Sequence, residues 1–118
     1  MNKQSLFHAF KNAFVGIVYC TRHERNMKIH ISFACVAGYL AWWLSLDSYE
    51  IIILILTITC VFVAEMMNTV VEAIVDLVSP QVHPLAKIAK DVAAGAVLLT
   101  AVAALLVGYR LFFVKLWP

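Results

Sequence analysis

The most informative pattern in this chain is an apolar stretch that acquires polar residues on one helical face before it ends. Residues 51–64 are fourteen uncharged residues in a row. The apolar pattern then continues to Val78 but includes four polar residues at helical spacing, which are Glu65, Asn68, Glu72 and Asp76. At about 100° per residue, these four lie within an arc of roughly 80° on one face of a helix. Carboxylates at membrane depth are costly, so a stripe of them indicates a functional site.

Two further apolar runs accompany the polar stripe. The three runs predict transmembrane helices over about 28–46, 50–78 and 86–112, each long enough for about 30 Å of hydrocarbon. Residues of about 5–25 carry apolar side chains at helical spacing and polar side chains on the other faces, which predicts an amphipathic helix on the membrane surface. The expected fold is therefore an all-α integral membrane protein with a surface helix and three spans.

Composition supports a membrane protein and excludes other classes. With 64% hydrophobic residues, 14% charged residues and a mean hydropathy of +0.90 over 118 residues, the chain is too apolar for a small soluble domain. The net charge of +2 and the lack of a basic stripe do not predict nucleic-acid binding. No repeat or linker divides the sequence, so residues 1–118 are predicted to form one domain.

The distribution of charge predicts how the bundle lies in the membrane. Five cations precede the first span, which are Lys3, Lys11, Arg22, Arg25 and Lys28. The next connection contains only the acids Asp47 and Glu50, so the N-terminal side is predicted to be cytoplasmic. The second connection, which contains two lysines, then also faces the cytoplasm. Arg110 and Lys115 do not fit this distribution and are expected to snorkel to the outer interface.

Familiar catalytic and metal-binding motifs are absent from the sequence. It has no P-loop, kinase glycine loop, HEXXH or GxSxG pattern. Cys20, Cys35 and Cys60 are odd in number and lack CxxC spacing, so we expect small buried hydrophobic residues rather than disulfides or metal ligands. Any nucleotide site must be built differently.

The acids predict a metal-dependent reaction at the cytoplasmic side. Glu24 and Glu72 are hard oxygen ligands suited to magnesium, which commonly takes one or two carboxylates together with substrate phosphates. Glu65 lies about 10 Å deeper than Glu72 along the helix, seven residues away. At that depth its carboxylate is the candidate acceptor for the proton of a lipid hydroxyl.

The remaining polar residues suit a polyphosphate. Lys90 is a point cation for phosphate oxygens, and Asn68 can donate a hydrogen bond to the transferring group. Asp91 is expected either to order Lys90 or to contact a nucleotide. Phosphoryl transfer depends mainly on positioning and charge neutralisation, so this small set of groups is sufficient in principle.

Each of these residues also has a structural explanation. Asn68 and Thr69 can form hydrogen bonds that join neighbouring helices, and Glu24 can simply solvate the end of a helix. His30, alone in an apolar span, is expected to hydrogen-bond to a neighbouring helix rather than to bind a ligand. Asp76 can pair with Lys87 or belong to the site.

Three classes of function stay open on physical grounds. They are a lipid-modifying enzyme, a cation-coupled transporter that uses Glu65 as carrier, and a structural subunit whose polar stripe only joins helices. The small residues at 93–96 first predict a helix-packing surface, although they can also admit a lipid chain. The lack of acids in the outer halves of the spans disfavours the transporter.

Several motifs give the chain a resemblance to a known family. They are ExxNxxxE at Glu65 to Glu72, AKD at 89–91, HPLAK at 83–87 and ERNMKIH at 24–30. Together they resemble the bacterial diacylglycerol kinase and undecaprenol kinase family over nearly the whole chain. ERNxKxH, HPLAK and the AAGAV run at 93–97 look most like the Gram-positive undecaprenol kinases.

The resemblance implies a homotrimer in the bacterial cytoplasmic membrane, with magnesium ATP as phosphoryl donor and a lipid alcohol as acceptor. The favoured acceptor is undecaprenol, with diacylglycerol as the alternative. By position, Glu65 is the implied proton acceptor and contacts the lipid together with Ala94, while Glu24 and Glu72 are the implied magnesium ligands. The implied nucleotide-binding residues are Asn12, Glu24, Asn68, Glu72, Gln81, His83, Lys90 and Asp91.

Overall fold

The computed structural model describes residues 5–117, and Lys3 of the charge count lies outside them. The described chain is helical, as the sequence predicts. Its main helices are α1 (Leu6–His23), α2 (Arg25–Trp43), α3 (Ser48–Val78) and α4 (Pro84–Gly108). A π-helical turn, Tyr109–Phe113, and a short α5, Val114–Leu116, continue α4.

A single extended residue separates α1 from α2. Glu24 has φ −103° and ψ 116°, so it ends one helix and begins the next. The Ser5 side chain caps the start of α1 by accepting a hydrogen bond from the His8 amide at 3.4 Å. The surface helix therefore ends at His23, two residues before the predicted boundary, and Glu24 lies in a bend instead of inside a helix.

The turn from α2 to α3 is built from special backbone and capping geometry. Ser45 has a positive φ of 55°, the left-handed conformation that commonly ends a helix. Asp47 Oδ1 accepts from the Glu50 amide at 2.9 Å, and Glu50 Oε1 accepts from the Asp47 amide at 3.1 Å. This capping box starts α3 at Ser48, slightly before the expected residue 50.

The turn from α3 to α4 relies on proline and histidine. Pro84 occupies the first turn of α4, where its missing amide hydrogen is not needed. His83 precedes it as the cap, and its Nδ1 accepts a hydrogen bond from the Leu85 amide at 3.1 Å. These residues start α4 two positions before the predicted residue 86.

Helices α3 and α4 form an antiparallel hairpin that is fixed at its far end. There Leu46, Leu54 and Leu111 form a buried apolar cluster beside the turn from α2 to α3. Lys115 Nζ donates to Glu50 Oε1 at 2.8 Å across this end. Lys115, which is expected to snorkel to the outer interface, therefore also pairs with an acid of the chain.

Two helical segments are long and apolar enough to cross a membrane, which are Ser48–Val78 and Pro84–Leu116. Only 17% and 6% of their most apolar stretches are buried within the chain, so they are not the core of a soluble fold. Helix α2 does not meet the same criterion, because its first turns contain Asn26, Lys28 and His30. The predicted count of three spans is therefore not confirmed.

The cysteines differ from one another in burial. Cys20 is buried, as expected, whereas Cys35 and Cys60 are exposed on the outside of the chain. The prediction was wrong for these two, because Cys35 on α2 and Cys60 on α3 lie on helix faces that no other helix of the chain covers. All three are free thiols.

The capping box leads to a test of the turn from α2 to α3. Asp47→Ala removes the acceptor for the Glu50 amide and is expected to lower the free energy of unfolding by about 1 kcal/mol. Asp47→Asn keeps an acceptor and should retain most of the stability. Thermal unfolding in detergent micelles, followed by circular dichroism, measures both. Equal midpoints for Asp47→Ala and the unmodified chain would contradict this account.

Candidate active site

The most buried polar group in the described chain is the carboxylate of Glu65. Its side chain is 0% exposed on α3, and neither of its oxygens has a hydrogen-bond partner among the described residues. His30 on α2 is nearest, with Nε2 3.5 Å from Oε2, too long for a good hydrogen bond. A buried carboxylate without a donor is costly, so this arrangement indicates a ligand or a reacting group.

Asn68 and Glu72 extend the site along the same helix toward the turn from α3 to α4. Asn68 is buried, and its Nδ2 donates to Glu72 Oε1 at 3.2 Å across one helical turn. Its own Oδ1 is buried without a partner among the described residues. The amide therefore connects the two acids and leaves one oxygen available as an acceptor.

Glu24 joins this group from the bend between α1 and α2. It is half-buried, and both its charge and that of Glu72 are close enough to interact electrostatically with Glu65. Three carboxylates, two from α3 and one from the bend before α2, thus meet in one region.

Two side chains fix the surface helix against this region. Cys20 Sγ lies 3.5 Å from Thr69 Oγ1, which joins α1 to α3. Thr69 Oγ1 also donates to the carbonyl oxygen of Glu65 at 3.1 Å, within α3. Since Cys20 lies four residues before Glu24, this contact sets where the bend approaches the acids.

A second polar region lies where α3 turns into α4. A cavity of about 270 Å³ there brings together four of the predicted nucleotide-binding residues, which are Gln81, His83, Lys90 and Asp91. Lys90 is also close enough to Glu72 to interact with its charge. The two polar regions are therefore neighbours along α3.

The ion pairs around this cavity differ from those expected from the sequence. Lys90 Nζ donates to Asp76 Oδ1 at 2.6 Å, between α4 and α3. Lys87 Nζ donates to Asp91 Oδ2 at 2.5 Å, four residues along α4. The pairs that the sequence analysis named as alternatives, Asp91 with Lys90 and Asp76 with Lys87, are not the ones that form. The rotation of α4 turns Lys90 toward α3 and leaves Lys87 beside the acid one turn away.

Two predicted site residues are placed apart from these regions. Asn12 is exposed on α1, and Ala94 is exposed on α4, one turn beyond Lys90. Neither residue lines the cavity at the turn from α3 to α4 or the apolar groove between α2, α3 and α4.

The donor atoms fit a magnesium ion better than a transition metal. The described residues contain no cluster of three or more histidine, cysteine, aspartate or glutamate side chains arranged to hold a metal. Glu24 and Glu72 are two half-buried carboxylates, and the unpartnered Oδ1 of Asn68 is a further oxygen donor. Magnesium commonly takes one or two ligands from protein carboxylates and its other ligands from phosphate and water, and this small set of oxygens suits that coordination.

Sequence reasoning missed the contact between His30 and Glu65, and it did not identify Cys20 as the partner of Thr69, a residue it expected only as a possible interhelical hydrogen-bonding group. A histidine within an apolar run was the available signal, but the sequence does not specify which residue of α3 it approaches. Cys20 and Thr69 have small side chains with no distinctive pattern. Only the packing of α1 on α3 identifies them.

Comparison with known proteins assigns this arrangement to a family. The family described as prokaryotic diacylglycerol kinase matches residues 11–112 of the chain. The chain belongs to this family. The resemblance predicted from the motifs is therefore confirmed, and so is the prediction of a lipid kinase over a transporter or structural subunit.

Individual relatives of the diacylglycerol kinase family cover different shares of the chain. The undecaprenol kinase of Bacillus subtilis is 40% identical over 110 residues, which are 93% of this chain and 89% of that enzyme. The diacylglycerol kinase of Synechocystis is 42% identical over 105 residues, 88% of this chain and 60% of that enzyme. The diacylglycerol kinase of Escherichia coli is 32% identical over 71 residues, 60% of this chain and 58% of that enzyme.

The pairing of Lys90 with Asp76 leads to a test of the second polar region. Asp76→Asn removes the acid that holds Lys90 at the cavity and is expected to raise the KM for ATP about threefold to tenfold. Stability should change by less than about 1 kcal/mol, because the pair is largely exposed. Steady-state kinetics and thermal unfolding measure the two effects.

A matched control breaks the ion pair at the opposite end of the hairpin. Glu50→Gln removes an acid paired with Lys115 but keeps a side chain that can complete the capping box. Its KM for ATP should equal that of the unmodified chain. An equal rise in both variants would show that the Asp76 effect is a general loss of packing.

Proposed function

We propose that this chain transfers the γ-phosphoryl group of magnesium ATP to the hydroxyl of a membrane lipid alcohol, with undecaprenol as the acceptor and undecaprenyl phosphate as the product. The observation that carries the proposal is the fully buried, unpartnered carboxylate of Glu65. It lies next to an apolar environment on one side and to Asn68 and Glu72 on the other.

Glu65 acts as the proton acceptor in this proposal. The lipid oxygen attacks the γ-phosphorus, and its O–H proton passes to the Glu65 carboxylate. The bond between the γ-phosphorus and the bridging oxygen breaks, and ADP leaves with that electron pair. A base in a water-poor site is effective because no solvent competes for the proton.

The other polar residues position the nucleotide. Glu24 and Glu72 would hold magnesium, which neutralises phosphate charge when bound, and Asn68 donates to the transferring group. Lys90, held by Asp76 at the neighbouring cavity, binds polyphosphate oxygens together with the loop at Gln81 and His83. Asn12 and Asp91 complete the proposed nucleotide contacts, and Ala94 the proposed lipid contacts.

The choice of acceptor depends on motifs and relatives together. The motifs at 24–30 and 83–87 favour undecaprenol, and a Bacillus subtilis relative at 40% identity over 93% of the chain is named undecaprenol kinase. Diacylglycerol is the second candidate, because the Synechocystis relative at 42% identity is named diacylglycerol kinase. Both lipids present a primary hydroxyl, so the same chemistry applies to either.

The assembly and location belong to the same proposal. We infer a homotrimer of three-span subunits in the bacterial cytoplasmic membrane, with the site on the cytoplasmic side. Large apolar residues such as Phe33, Leu56, Leu99 and Leu105 are exposed on the single chain, which suits lipid contact and contact between copies. Helix α2, at 19 residues, has the length of a span despite its polar first turns.

The central test replaces the proposed base. Glu65→Gln keeps the shape of the side chain but cannot accept the proton, so kcat is expected to fall at least about 100-fold. Binding of ATP should change less than twofold, because Glu65 does not contact the nucleotide in this mechanism. Transfer of labelled phosphate in mixed micelles and equilibrium ATP binding measure the two quantities.

A control separates this effect from the loss of any acid on α3. Glu50→Gln changes an acid on the same helix at its opposite end and should leave kcat unchanged. If Glu65→Gln retained turnover comparable to that control, Glu65 would not be the base.

The acceptor is tested by direct competition. Purified protein with magnesium and labelled ATP is offered undecaprenol and diacylglycerol, separately and then together, in mixed micelles. The expected result is a kcat/KM at least about tenfold higher for undecaprenol. A preference for diacylglycerol would replace the acceptor and keep the mechanism, whereas labelling of neither lipid by folded protein would overturn the proposed function.

A further inference from the structure

An apolar groove of about 460 Å³ runs between α2, α3 and α4, apart from the cavity at the turn from α3 to α4. His30 and Phe62 line it near the depth of Glu65, and Leu40 and Leu54 line it toward the opposite end. From His30 to Leu40 the backbone of α2 rises about 15 Å. The groove therefore leads from the buried carboxylate region along the membrane-crossing part of the bundle.

Local features of α4 give the groove its width. Ala101 and Ala104 line it with single methyl groups and Gly108 with its backbone alone, so the helices leave space there. The π-helical turn then begins at Tyr109, and Tyr109 and Phe112 of that turn both line the groove. Such turns inside α-helices are frequent at functional sites.

The groove is lined mainly by apolar residues, and the polar side chains in its lining are His30, Thr57 and Tyr109. The Thr57 hydroxyl already donates to the carbonyl oxygen of Ile53 at 2.7 Å. Nε2 of His30 is buried and has no hydrogen-bond partner among the described residues, as is true of both Glu65 oxygens. The two side chains face each other at 3.5 Å. A hydroxyl group satisfies both at once, because it donates to a carboxylate oxygen and accepts from an imidazole N–H.

We propose that His30 is the second polar anchor of the acceptor lipid, binding its terminal hydroxyl opposite Glu65 while the first part of the hydrocarbon chain lies in the groove. This inference rests on the proposed function and adds a residue and a path for the chain. A groove about 15 Å long holds only the beginning of a long polyprenyl chain. The rest of the chain extends into the bilayer.

The polar anchor is tested with two substitutions at His30. His30→Leu removes the N–H and is expected to raise the KM for the lipid alcohol about tenfold, with the KM for ATP changed less than twofold. His30→Gln restores an N–H donor at a similar reach and should return the lipid KM to within about threefold of the unmodified value. A lipid KM unchanged in His30→Leu, or raised equally in both variants, would overturn the anchor.

The path of the chain is tested by filling the groove away from the chemistry. Ala104→Phe places a ring in the groove, and Ala103→Phe places the same ring on the neighbouring position outside it. The expected result is that only Ala104→Phe raises the KM, and more strongly for undecaprenol than for a short prenol with the same hydroxyl. Equal effects of the two variants, or equal effects on both alcohols, would overturn the path.

A photoreactive acceptor locates the chain directly. An alcohol with a diazirine in the first part of its tail should label peptides that contain Phe33 or Phe112 in the unmodified protein, and lose that labelling in Ala104→Phe. If Ala104→Phe instead changes the size of the assembly in native mass spectrometry, the groove belongs to a neighbouring copy of the chain and the proposal fails. The proposed function fails separately, if the unmodified protein phosphorylates no lipid alcohol.

Discussion

The rest of this structure depends on a carboxylate held in an apolar helix, with no hydrogen-bond donor to it among residues 5–117. Glu65 is fully buried, and the nearest polar group, on His30, is too distant for a good hydrogen bond. Such a group is expensive in the interior of a bundle and is retained where it reacts. In the proposed reaction, Asn68, Glu72 and Glu24 assist Glu65 from the side nearer to water, where a charged nucleotide can approach.

The fold meets this requirement by breaking its helices near the acids. The bend at Glu24 brings the end of α1 and the start of α2 toward α3, and the contact of Cys20 with Thr69 fixes that approach. The hairpin of α3 and α4 is held by an ion pair at each end, Lys90 with Asp76 near the site and Lys115 with Glu50 far from it. Short turns therefore hold the polar residues together without a large polar core.

Part of the site could be predicted because helical spacing is a local property. Glu65, Asn68 and Glu72 share a face of any α-helix, whatever packs against it, and the structure keeps the hydrogen bond from Asn68 to Glu72 that this spacing allows. The pairings of Lys87 and Lys90 could not be predicted in the same way. They depend on how α4 is rotated against α3. Lys87 and Lys90 are only three residues apart, and nothing in the sequence around them shows which one faces α3.

The amino-acid sequence alone determined the helical class of the chain, its apolar segments, the polar stripe on α3 and membership of a lipid kinase family, since periodicity, composition and motifs are local or additive. Tertiary structure alone decided that His30 faces Glu65, that Cys20 contacts Thr69 and that an apolar groove opens beside them. The physical reason is that contacts between helices depend on their relative rotation and depth. Many residues set these jointly, and no single pattern along the chain specifies them.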